Sequence, residues 1–191
     1  MRQTLLIFTF LFCFIWAFGQ TDLEFLIQNN LDNQKTTMWV LGSWGVGNVV
    51  AGSIGVLSTD DKTWKSFHQM NIGWGVVNTA LAAFGVHNAG MSIDDISAND
   101  LLRDNMRLTN VLLLNAGLDV AYIASGFYLK EKGKTAIKNK EKWTGYGKSL
   151  ILQGAFLLIF DSYAGYHFSK QSQPIIEFIS TGNSIGLSYK F

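Results

Sequence analysis

The sequence predicts an all-α membrane protein: a four-transmembrane-helix bundle with a cleaved signal peptide and a short C-terminal tail like a β-hairpin. Three observations carry this prediction. Charged residues make up only 15% of the 191 residues, against roughly 25% in soluble domains. Four stretches, residues 38–57, 68–86, 108–128 and 149–168, are apolar over the length needed to cross a hydrocarbon core. Basic residues gather in the loops that such a threading puts on one side.

Residues 1–19 read as the signal peptide. Arg2 precedes an apolar stretch from Leu5 to Ala17, and the small residues Ala17 and Gly19 frame a cut before Gln20. That is the layout of a secretory leader, and it places residue 20 outside the inner membrane. Cys13, the only cysteine, leaves with the leader. Disulfides, thiolate metal sites and cysteine catalysis are thereby excluded from the mature chain. Residues 20–37 form an outer-surface amphipathic segment, with Leu23, Leu26, Ile27 and Leu31 at helical spacing.

The four spans make residues 38–168 a transmembrane domain. The first two contain no Asp, Glu, Lys or Arg; the third contains only Asp119 and the fourth only Asp161. No span has the charged stripe of a soluble bundle helix, and none alternates like a barrel strand. The loops 58–67 and 131–148 then fall in the cytoplasm. Nine basic residues lie on that side, counting Lys130 at the boundary, and five lie outside. This is the positive-inside bias, and it orients the chain N-out/C-out in a bacterial inner membrane with loop 131–148 cytoplasmic. Trp39, Trp64, Tyr128 and Trp143 fall at span ends, where amphipathic rings prefer the headgroup level.

Two outer segments complete the order. Residues 97–107 read as a second surface helix, capped at Ser97 and carrying Leu101, Leu102 and Met106 on its apolar side. Residues 169–191 form a periplasmic tail in which 175–180 pairs with Ile185, Leu187, Tyr189 and Phe191. That alternation ending in Phe is also how outer-membrane barrels finish, so the outer membrane is the alternative localisation.

An internal repeat links the first two spans. Trp44-Gly45-Val46-Gly47-Asn48 returns thirty residues later as Trp74-Gly75-Val76-Val77-Asn78, and Gly55 and Gly85 follow at the same offset. Because the two spans run in opposite directions, the repeat is inverted about the membrane plane. Small residues at every fourth position, such as Gly47, Ala51 and Gly55, favour close helix approach.

Each span also carries amide or carboxyl groups deep in its apolar run. Asn48, Asn78, Asn115, Asp119, Gln153 and Asp161 are the candidate intramembrane polar or ion site. Antiparallel threading gathers most of them into one layer, with Asn115 and Asp119 on the same helix face. Intramembrane carboxyls are expensive and mark function by default; interhelical hydrogen bonding is the competing account.

Other chemistries find little support. A net charge of +1 argues against nucleic-acid binding. No nucleophilic triad, phosphate loop or metalloprotease helix is present, so no enzyme activity is expected. His87 and His167, at the outer ends of the second and fourth spans, are weak candidates for axial haem ligands. Two histidines are too few for a closed zinc site, and neither cofactor nor metal is expected. The expected partners are the lipid bilayer and either a second copy or another membrane protein.

The run from Trp143 through Gly145, Gly147, Ser149, Gln153, Gly154 and Phe156 to Asp161 resembles stretches of an uncharacterised family of small bacterial four-helix integral membrane proteins. With the Gly/Trp/Asn-rich first spans, the likeness extends over residues 38–168. It implies a membrane bundle and no particular activity. The function expected is that of a structural or accessory membrane bundle. The alternative is a small transporter or a proton- or ion-linked protein using the Asn/Asp layer.

Overall fold

Each apolar run forms a helix, and each helix continues well past its run. A computed structural model describes the backbone of residues 2–90 and 96–182, with side chains from 23 to 90 and from 96 to 181. The described residues form four helices and no strand: α1 (Arg2–Ser58), α2 (Lys62–Asn88), α3 (Ala98–Thr135) and α4 (Lys140–Gly182). At about 1.5 Å per residue, the 43 residues of α4 reach about 65 Å, far more than a bilayer core requires.

Local chemistry sets the turns. Asp61 caps α2 by accepting from the backbone N–H groups of Thr63 and Trp64 at 2.7 and 2.9 Å. Ser97 caps α3, accepting from the N–H of Asp100 at 3.2 Å, as its position in the sequence predicts. Between α3 and α4, Asn139 adopts a φ of 58°, a left-handed conformation that Asn tolerates better than most residues.

The helices pair as two antiparallel hairpins, α1 with α2 and α3 with α4, joined chiefly where α2 meets α4. The backbones of α2 and α3 do not approach closely. At the α1–α2 crossing, Gly45 and Gly75 face one another. A Cβ on Gly45 would meet Thr79 N at 2.7 Å and Gly75 O at 2.8 Å; one on Gly75 would meet Gly45 O at 2.6 Å and Val49 N at 2.9 Å. Val49 and Thr79 are themselves thirty positions apart, so the contacts exchange under the repeat. The two helices are therefore related by a local two-fold axis perpendicular to their length. Burial keeps the same register, with Gly45, Asn48 and Gly52 inward on α1 and Gly75, Asn78 and Ala82 inward on α2. The α3–α4 hairpin crosses in the same way at Gly126 and Gly147.

Through the middle of the bundle, polarity is reversed from that of a soluble core. Val50, Ile54, Val76, Leu81, Leu114, Val120 and Ile159 are exposed, while Asn48, Asn71, Asn78, Asp119, Ser149, Gln153 and Asp161 are buried. Among the described residues, two helical stretches, Leu23–Ser58 and Ala98–Thr135, are long and apolar enough to cross a membrane by length and composition. The apolar runs of α2 and α4 are interrupted by the buried residues Asn71, Asn78, Gln153 and Asp161.

Three outer segments depart from expectation. The stretch from Leu23 is not a separate surface helix; it continues α1 into the first span. Residues 97–107 likewise run without a break into the third span as part of α3. Residues 175–180 are helical within α4 rather than a strand. The physical reason is common to all three: Ile27, Leu101 and Ile175 bury against each other, with Leu23, Leu26, Leu31, Leu102 and Ile179 around them. A shared core holds three helix extensions upright that would otherwise lie on a surface or fray. The rest of the proposed hairpin, residues 183–191, and the side chains around the proposed leader cut at Gly19 lie outside the described residues.

Candidate functional site

The candidate polar residues separate into two groups, according to which copy of the repeat they meet. On the α1 side, Gln153 of α4 is fully buried and held by both ends of its carboxamide. Trp44 Nε1 donates to Gln153 Oε1 at 2.9 Å, while Gln153 Nε2 donates to Asn48 Oδ1 at 2.7 Å and Asn71 Oδ1 at 2.8 Å. Ser149 Oγ adds a bond to Asn71 Oδ1 at 2.6 Å, and Asn48 Nδ2 donates back to Trp44 O at 2.8 Å. The Trp44 ring stacks on Phe156 with centroids 3.9 Å apart, which fixes the indole N–H toward Gln153. This cluster is tightly bonded and closed.

On the α2 side, the same motif faces a space. A cavity of about 190 Å³ is lined by Trp74 and Asn78 of α2, Asn115, Asp119 and Tyr122 of α3, and Asp161 of α4, with Leu41 and Phe160 among the apolar walls. The gap between the α2 and α3 backbones creates it; only side chains bridge, as where the Trp74 and Tyr122 rings meet edge to face at 5.1 Å. Asp119 and Asp161 lie against each other as a carboxyl pair. Three buried polar atoms at this cavity have no hydrogen-bond partner: Trp74 Nε1, Asn78 Nδ2 and Asp119 Oδ2. Asn78 and Asp119 are each only 2% exposed, so bulk water does not reach them. Val77, Leu81 and Leu118, all substantially exposed, also line the cavity. Its mouth therefore opens sideways between α2 and α3, through an apolar rim.

Of the six predicted residues, Asn78, Asn115, Asp119 and Asp161 come together at the cavity, while Asn48 and Gln153 belong to the closed cluster. Sequence reasoning passed over Ser149, Tyr122 and the chemical role of the two repeat tryptophans. The repeat itself was the available signal, because it places Trp four residues before Asn in both helices.

A third polar network lies toward the end of the bundle that the predicted threading makes the outer one. Asn30 Nδ2 donates to Asn105 Oδ1 at 2.9 Å, and Asn105 Nδ2 donates to Phe168 O at 2.7 Å and Ser172 Oγ at 2.8 Å. It is fully partnered and ties α1, α3 and α4 together below their outer apolar core. His167 shares Nε2 with the side-chain amide of Gln171 at 3.2 Å, and His87 is exposed on α2. Among the described residues, no three His, Cys, Asp or Glu side chains are grouped to hold a metal ion.

The basic loop carries its lysines over aromatic rings. Lys132 Nζ lies 4.1 Å from the Trp143 ring centroid and Lys148 Nζ 4.3 Å from that of Trp64. Cation–π contacts thus join the α3–α4 turn region to the start of α2.

A family model described as a family of unknown function, DUF6992, matches residues 40–162. The matched region contains every residue lining the cavity and every member of the Gln153 cluster. No curated protein and no solved structure matches the chain.

Proposed function

We propose a function for a chain that belongs to DUF6992, a family of unknown function: a four-span membrane protein whose cavity is an intramembrane binding site for a small solute or ion. All four helices cross the bilayer in this reading, N-out/C-out, after removal of residues 1–19, in a bacterial inner membrane. The aromatic-bound lysines of the α3–α4 region then sit at the cytoplasmic headgroups, where positive charge and amphipathic rings are both favoured. Leu114, Leu81, Val50 and Ile159 face lipid, and the buried amides and carboxyls face inward, as spanning helices require.

The observation that carries the binding role is the set of unpartnered atoms at the cavity. Purely structural hydrogen-bond glue leaves no such set: the Gln153 cluster shows what glue looks like, with both ends of its carboxamide satisfied. An unpartnered buried polar atom costs about 1–3 kcal/mol, which a bound solute would offset. The sideways mouth between α2 and α3 suits a transporter or lipid-facing binding protein better than an aqueous channel.

A structural or accessory role is the second reading, supported by the close Gly45–Gly75 and Gly126–Gly147 crossings, which serve packing alone. Reporter fusions and native mass spectrometry separate the possibilities. Fusions after Asp60 and Lys138 should report cytoplasm, and one after Gly90 should report the far side. In mild detergent the wild type should retain a small-molecule mass that Asn78→Leu has lost. A periplasmic signal at Lys138 would overturn the threading, and identical masses for both proteins would favour the accessory role.

A further inference from the structure

We infer that the α2-side cavity recognises a neutral carboxamide, about the size of a single ring, through Trp74 and Asn78, the repeat counterparts of the Trp44 and Asn48 that hold the side chain of Gln153. This deepens the solute-site reading above and rests on it.

The internal repeat supplies the template. In the α1 copy, Trp44 donates to the oxygen of a carboxamide and Asn48 accepts from its nitrogen. A second acceptor, Asn71 Oδ1, takes the other N–H. In the α2 copy, Trp74 and Asn78 occupy equivalent positions with the same burial, but among the described residues their N–H groups find no partner, and the apolar Leu157 packs beside Leu41 and Trp74. Position 71 corresponds to Leu41, which cannot accept a hydrogen bond. Asp119 Oδ2, from the opposite wall, supplies the missing acceptor. The cavity thus offers two donors, Trp74 Nε1 and Asn78 Nδ2, to an amide oxygen and one acceptor, Asp119 Oδ2, to its N–H.

Charge and size narrow the ligand. A carboxylate brings acceptors only and has no N–H to give to Asp119 Oδ2. A bare cation would suit those carboxyls but would face the indole N–H of Trp74 and the amide N–H of Asn78. A neutral amide satisfies all three unpartnered atoms at once. The volume, about 190 Å³, exceeds the ~150 Å³ cavity that accommodates benzene in another protein. Trp74, Tyr122 and Phe160 line it with aromatic surface suited to a flat group. Because the mouth opens through an apolar rim, the amide can belong to a soluble molecule or to an amide-bearing lipid.

The test uses full-length protein in mild detergent, titrated by calorimetry with benzamide, benzoate, benzylamine, sodium ions and dodecanamide. Benzamide should bind saturably, at least tenfold more tightly than benzoate or benzylamine. Trp74→Phe and Asn78→Leu should each weaken benzamide at least tenfold, while Trp44→Phe leaves its affinity unchanged. Dodecanamide binding without benzamide binding assigns the amide to a lipid, and the reverse assigns it to a soluble molecule; both support the inference. Tighter binding of benzylamine or sodium would overturn the amide class while leaving a solute or ion site in place. Binding of no probe would overturn both. Each variant is compared with the wild type by its melting curve, and Gln153→Ala provides a gain-of-site control. Emptying the α1 copy should add a second amide equivalent, and its failure to do so in a folded variant would sink the template argument.

Discussion

The same helices follow opposite rules at their two ends. Toward the outer end, Ile27, Leu101 and Ile175 are buried while Glu24, Gln28, Asp32, Arg103 and Glu177 are exposed. Through the middle, Asn48, Asn78, Asp119 and Gln153 are buried while Val50, Leu81, Leu114 and Ile159 are exposed. The hydrophobic effect accounts for the outer end, where apolar surface leaves water. In the proposed membrane setting it cannot account for the middle, whose exterior is as apolar as lipid. There, close backbone crossings and satisfied polar groups must hold the helices together. The Asn30–Asn105–Ser172 network marks the boundary between the two regimes.

The largest expected effect is at the crossing that only the middle depends on. Gly75→Leu would drive a side chain into Gly45 O and Val49 N, which cannot move without separating α1 from α2. Overpacking costs about 1–3 kcal/mol and occasionally more; a leucine driven against backbone lies at the upper end, so little folded protein should be recovered after purification, as read by circular dichroism. Wild-type yield and melting behaviour would show that the helices do not meet there. At the outer end, Ile175→Ala should cost about 2–5 kcal/mol of local stability. Limited proteolysis should then open α4 beyond Phe168 while the cavity keeps its ligand affinity. Loss of both together would mean the two regions are not separable.

How much of this was legible in the sequence follows the same division. The four helices were legible because each contains a long apolar run, and two of them are long and apolar enough to cross a membrane by length and composition. The outer extensions were not. Leu23, Leu26, Ile27 and Leu31 make an amphipathic stripe that suits a lipid surface as well as a helix partner, and only Leu101 and Ile175, distant in sequence, decide between them. Residues 175–180 carry Ile and Phe and follow Pro174, which favours an extended reading; burial of Phe168 and Ile175 keeps the helix going past the proline. At the site, the Trp/Asn repeat was visible, but its two fates were not. Which copy meets Gln153 depends on the rotation of α4, and residues 48 and 153 are 105 apart.

Surface substitution sharpens the contrast next. Leu114 is 66% exposed in the middle of α3, and a lysine at the centre of a span costs about 2.5–3.5 kcal/mol in insertion. Leu114→Lys should therefore reduce membrane integration measurably in an insertion assay. Gln28→Lys, on the exposed face of the outer end, should change stability by no more than about 0.5 kcal/mol. Equal tolerance at both positions would contradict the four-span reading directly, because it would mean both surfaces face water.

The smallest effect on stability separates the two polar groups of the middle. Gln153 and Asp119 are buried to nearly the same extent, so burial alone predicts equal sensitivity. Their partners do not. Gln153→Leu strands Trp44 Nε1 and leaves Asn48 and Asn71 short of a donor, a loss of about 1–3 kcal/mol. Asp119→Asn removes a carboxyl whose Oδ2 already lacks a partner and relieves its pairing with Asp161. Its melting temperature in detergent should stay at the wild-type value or rise slightly, while amide binding weakens. If Asp119→Asn instead destabilised the bundle as much as Gln153→Leu, the carboxyl pair would be a structural strut, and the cavity would lose its claim to be kept open for a ligand.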